Sequence, residues 1–170
     1  MRSRAVGISL LLVFVAVVVQ TAVFGDGRIN PFGVSPSVVL VVVLACARYV
    51  DSEPAILLGF TGGMLLDLLG GAPLGLWAMA YTVAVYVGLR FRHRADDGPV
   101  VVGMGVVMLT LVANALFVIV GTLFGERFLS STAVIKNIIV PAFYNLPVAA
   151  VVFPRVTRRI GTRRRIGWSP

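Results

Sequence analysis

The sequence predicts an all-α integral membrane protein, with six transmembrane helices packed as a compact bundle. Three observations predict it. Apolar residues make up 58% of the 170 residues and charged residues only 13%, with a mean hydropathy of +0.97. A soluble domain of this size has no interior large enough to hide that much apolar surface. The apolar residues come in windows close to the twenty or so that a helix needs to cross hydrocarbon. The sustained apolar/polar alternation of a membrane β-strand is missing. Runs such as Val38–Leu44 are rich in β-branched residues, yet a span in lipid must satisfy its own backbone hydrogen bonds, so they too read as helix.

Taken in order, the chain forms one membrane domain over residues 1–170, without a repeat or linker. The first span, 5–24, follows Met-Arg-Ser-Arg. It is long for a signal peptide and no Ala-x-Ala-like site closes it, so it reads as a retained helix. Asp26-Gly and Asn30-Pro mark a loop over 25–36. The second span, 34–49, opens near Pro36 and ends at Arg48, which can snorkel to the interface. Asp51 and Glu53 precede the third span, 55–69, where the helix dipole favours acids. Pro73 starts the fourth span, 74–89, at the position where its missing N–H costs nothing. The third and fourth spans form an antiparallel hairpin. The fifth span covers 100–124, and Glu126–Thr132 links it to the sixth, 133–153, which Pro141 and Pro147 are expected to bend. A basic tail, 154–170, closes the chain.

The basic residues orient this arrangement. With six spans, twelve of the fifteen Lys and Arg fall on the side that carries both termini; Arg28, Arg127 and Lys136 fall on the other. The positive-inside rule then places both termini in the cytoplasm. Topology accounts for the net charge of +8 without nucleic acid, and no nucleic-acid fold is visible. The Arg-rich tail is expected to touch anionic lipid headgroups. Cys46 is the single cysteine, which excludes an internal disulfide and a thiolate metal cluster. His93 stands alone in a basic loop. No carboxylate pair, phosphate loop, metal-ligand cluster or nucleophile set is apparent, so neither an enzyme nor a cofactor is expected.

The informative stretch is Gly59–Gly75. Ala55, Gly59, Gly63 and Asp67 recur every fourth residue and share one helix face, which lets a neighbouring helix approach closely. A carboxylate inside a span costs about 2.5–3.5 kcal/mol on insertion scales unless it faces the bundle interior. Counted along their helices, Gln20, Asp67, Tyr81 and Asn114 fall in one layer of the outer half of the bilayer. Asp67 is therefore expected to contact Gln20, Tyr81 or Asn114, directly or through water. Lys136 is the candidate counter-charge. Without a nearby cation, burial is expected to favour a neutral, hydrogen-bond-donating carboxyl. Asn145 and Pro147 mark the last helix.

Gly59-Phe60, Gly63, Asp67 and Pro73-Leu74-Gly75 resemble the central signature of the MreD family of rod shape-determining membrane proteins. Gln20 near the end of the first span, Pro36 opening the second, and Asn145 with Pro147 in the last are similar to family features at those places. Ser37 departs from the Asp or Asn expected after the proline. Length and layout agree over the whole chain. The resemblance implies a non-enzymatic scaffold of the elongasome in the bacterial cell membrane. Its partners would be MreC and, through it, RodA, a class B penicillin-binding protein and the actin-like MreB. It also implies a fold similar to the S components of energy-coupling-factor transporters. That likeness carries an alternative function, a substrate-binding subunit of a small-solute (vitamin) importer. Such subunits carry an Ala-x-x-x-Ala docking motif in the first span, where this chain has Ala5-x-x-x-Ser9.

Overall fold

The computed structural model of the chain describes residues 2–24, 35–71, 73–91, 98–125 and 134–160. Every regular element among them is an α-helix: α1 (Arg2–Phe24), α2 (Val38–Ala47), α3 (Ser52–Leu69), α4 (Leu76–Arg90), α5 (Pro99–Leu123) and α6 (Val134–Ile160). Four of these, α1, α3, α5 and α6, are long and apolar enough to cross a membrane. The protein is thus all-helical and of multi-pass membrane type. The other two are shorter. At 1.5 Å per residue α2 reaches about 15 Å and α4 about 22 Å, against a hydrocarbon core of about 30 Å.

The bundle is built around α2. Each of the other five helices contacts it, and nine of its ten residues are buried. A helix that is apolar all round belongs inside, and Val39–Ala47 has no polar side to turn outward. α3 lies against α1, α2 and α4, while α5 lies between α4 and α6. The exposed surface is apolar too: Leu10, Leu11 and Phe14 on α1 and Met104 and Met108 on α5 all face outward. Packing here separates helix-facing from outward-facing residues without a change in polarity.

Several boundaries differ from the sequence expectation. The second helix begins at Val38, because Ser35, Pro36 and Ser37 remain non-helical. Pro73 does not open the fourth helix. It lies in the preceding turn, and Gly75 takes the N-cap position at φ +95°. The sixth helix does not stop at 153; it runs through Pro154 to Ile160. Val156 is buried there, and the Thr157 hydroxyl meets that of Tyr49 at 2.7 Å, which anchors the added turns to the end of α2. The expected tail therefore starts as helix. The loop residues Asp26, Arg28 and Asn30, the His93 loop, Arg127 and the tail from 161 lie outside the described residues.

Candidate functional site

The polar residues singled out in the sequence gather at the starts of the two short helices. A helix begins with backbone N–H groups that have no partner of their own, and in hydrocarbon no water takes them. Neither the α2 nor the α4 N-cap residue supplies a side-chain cap. Other helices supply it instead.

At α4 the donor-hungry group is Asp67, near the C-terminal end of α3 and 2% exposed. Its Oδ2 accepts the N–H of Gly75 at 3.0 Å and of Ala78 at 3.1 Å, and its Oδ1 accepts the N–H of Trp77 at 3.1 Å. These are the N-cap, N2 and N3 amides of α4. An ordinary Asp cap satisfies N2 or N3 from the N-cap position itself; here the same chemistry arrives from the previous helix. Gly75 makes the geometry possible, since its left-handed backbone turns successive N–H groups into a concavity for an anion. The carboxyl accepts from backbone amides on both oxygens. Three amides at the positive end of α4 face it, in the place the sequence reading gave to Lys136. Lys136 is exposed on α6, and among the described residues no ion pair joins it to Asp67.

At α2 the cap comes from two helices at once. Asn145 of α6 is fully buried, and its Oδ1 accepts the Ser37 N–H at 2.9 Å. Gln20 of α1 accepts the Val39 N–H at 2.9 Å through Oε1. These are again the N-cap and N2 amides. The other side of Asn145 donates from Nδ2 to the Thr110 hydroxyl at 2.9 Å, and Thr110 donates on to the Val106 carbonyl at 2.7 Å. One asparagine thus ties α2, α5 and α6 together. Thr110 had no place in the sequence reading, for a threonine that closes a local bond in an apolar helix leaves no spacing signal. The departure at Ser37 matters little for this contact, which uses the backbone.

Of the expected polar layer, Tyr81 lies beside Gln20 and within electrostatic reach of Asp67, while the Asp67 oxygens themselves bond to α4 amides. Gln20 and Asp67 serve different helix starts. Tyr81 is fully buried against Ser37 and Gln20, but its hydroxyl has no hydrogen bond of good geometry. Asn114 donates to the Ile138 carbonyl at 3.3 Å, joining α5 to α6. Pro147 lies on the exposed side of α6, two residues from Asn145.

The small-residue face of α3 meets α4. A Cβ on Gly63 would stand 2.6 Å from the Cα of Ala78 and closer still to the Trp77 carbonyl. On Gly59 it would stand 2.9 Å from Val85 and 3.1 Å from the Tyr81 carbonyl. This close approach brings the start of α4 within reach of Asp67. Trp77 then stacks on Phe117 of α5, with ring centroids 4.1 Å apart, and packs edge-on against Tyr81.

Chemically, this arrangement binds helices to one another. Apart from it, an apolar groove of about 470 Å³ runs between α4 and α5, with Arg48 at its rim. No family model, curated protein or solved structure matches the chain.

Proposed function

We propose that the protein is a non-enzymatic, MreD-like membrane scaffold of the elongasome. In this reading it helps MreC, and through it RodA, a class B penicillin-binding protein and MreB, to maintain lateral peptidoglycan synthesis and cell shape. One observation carries the reading. Six of the residues on which the resemblance rests, Gln20, Gly59, Gly63, Asp67, Gly75 and Asn145, join helix to helix, while Phe60, Leu74 and Pro147 face outward. A transporter subunit or a catalyst keeps some polar groups turned toward its substrate. Here both oxygens of Asp67 and both polar atoms of Asn145 are taken up by the fold. That is the economy of a rigid body made to be held by other proteins.

The finer topology belongs to the same proposal. α2 and α4, with their flanking segments, complete six spans in the bacterial cell membrane, and both termini are cytoplasmic. The importer alternative is less well supported. Ser9 of Ala5-x-x-x-Ser9 is fully buried beside Cys46, where it offers no docking face. The groove is apolar and has few groups to orient a polar solute.

Depletion in a native rod-shaped host tests the assignment. Rounded or swollen cells, and MreC recovered with the protein from native membrane, are the expected results. Normal shape with a vitamin-uptake defect would reverse the ranking.

A further inference from the structure

We propose that the groove between α4 and α5 is a binding site for one anionic phospholipid, with an acyl chain in the groove and its phosphate at Arg48. The inference rests on the membrane reading alone and stands apart from the scaffold function.

The groove has the dimensions of a chain rather than a helix. It follows α5 from Val101 to Val112, about 16 Å at 1.5 Å per residue. One leaflet of a bilayer contributes about 15 Å of hydrocarbon. The groove therefore runs from the headgroup level at the start of α5 to about the bilayer midplane. Its 470 Å³ is room for the centre of a water-sized sphere. Over that length this is roughly 6 Å across, or roughly 9 Å between walls once a water's radius is added on each side, still less than a helix with its side chains, at about 10–12 Å. A single alkyl chain, about 4 Å wide at van der Waals contact, fits. Gly105 helps to keep the space open: a Cβ there would meet nothing within 4 Å.

The charge sits at the correct end. Arg48 ends α2, Phe91 ends α4 and Val101 lies in the first turn of α5, so the rim at Arg48 is the headgroup end. The Arg48 guanidinium lies 5.9 Å from the Phe153 ring centroid, a cation–π contact beside the groove, and its planar fork of donors is of the kind that suits phosphate. Arg90, Arg155, Arg158 and Arg159 belong to the same end, where the described carboxylates are Asp51 and Glu53. The potential there favours an anionic headgroup over a zwitterionic one.

The test uses the full chain in vesicles of equal phosphatidylglycerol and phosphatidylcholine, followed by mild solubilisation and mass spectrometry of the protein with retained lipid. Phosphatidylglycerol should be retained about fivefold over phosphatidylcholine, the ratio one arginine gives beside an anionic headgroup. A phosphatidylglycerol probe with a photoreactive group at mid-chain should label α5 near Met108. Arg48→Gln should abolish the preference but keep the label, and Arg48→Lys should restore most of it. Gly105→Leu should remove the label while gel filtration and helicity stay as in the native protein. Equal retention of both lipids by the native chain would overturn the proposal. So would labelling elsewhere, or a helix of a partner or second copy cross-linked in the groove through Met104→Cys.

Discussion

Asn145 accepts the backbone N–H of Ser37 at 2.9 Å across 108 residues of chain, and so one side chain of the last helix finishes the first turn of the second. Asn145→Val removes the acceptor for Ser37 and the donor to Thr110 together. A buried N–H left unpaired costs about 1–3 kcal/mol. Stability in detergent micelles should fall by about that much, and the Ser37 amide should exchange its hydrogen faster. An unchanged exchange rate would mean that water or another group caps α2.

Asp67 separates charge from acceptor count. In Asp67→Asn one oxygen can still take two amides, but the NH₂ then faces the third donor. Asp67→Leu loses all three contacts. The expected order of stability is native, then Asn, then Leu, with a step of about 1–3 kcal/mol for each buried amide left unpaired. Hydrogen exchange should quicken at Gly75, Trp77 and Ala78 first. Equal stability of the Asn and Leu variants would show that the amides of α4 do not need the carboxylate.

The glycines of α3 and of the turn after it should rank by what surrounds them. Gly63→Ala forces a methyl into the backbone of α4, which cannot yield, so its cost should lie at the upper end of the 1–3 kcal/mol range for overpacking, about 3 kcal/mol. Gly59→Ala meets Val85 first, a side chain able to shift, and should cost less. Gly71→Ala, with nothing within 4 Å, should be close to neutral. Thermal unfolding of the three variants in one detergent checks the order.

Tyr81→Phe removes a buried hydroxyl that lacks a partner. The change should be neutral or stabilise by up to about 1 kcal/mol, because a desolvated group without a hydrogen bond contributes nothing favourable. A loss of stability would reveal an ordered water shared with Ser37 and Gln20.

The six-span topology predicts a cytoplasmic signal from a reporter fused after Pro170, and an external signal from one inserted within 25–30. A reporter after Pro170 that reads outside would remove one span from the count.

Much of the fold was legible because hydropathy and length act residue by residue. The starts of α3 and α5 fell within three residues of expectation, and the four-residue spacing of Gly59, Gly63 and Asp67 correctly marked a close helix contact. The central position of α2 was not legible. In a chain this apolar, a valine facing lipid and a valine facing another helix look alike. The partners of Asp67 were hidden for a different reason. Capping is read from a side chain at the N-cap of its own helix, whereas Asp67 caps from eight residues upstream of Gly75 and from another helix. The polar residues signalled that contacts must exist; the fold decided which amides they met.

Capping α2 from both ends of the chain also sets a clock for biosynthesis. Gln20 is made before Ser37 and can serve Val39 as soon as α1 and α2 meet. Asn145 is made 108 residues later than Ser37, about 5–20 s at 5–20 residues per second. Throughout that interval the central helix waits with its first amide open, beside translocon or lipid that must tolerate it. The helix that every other one packs around is therefore completed last.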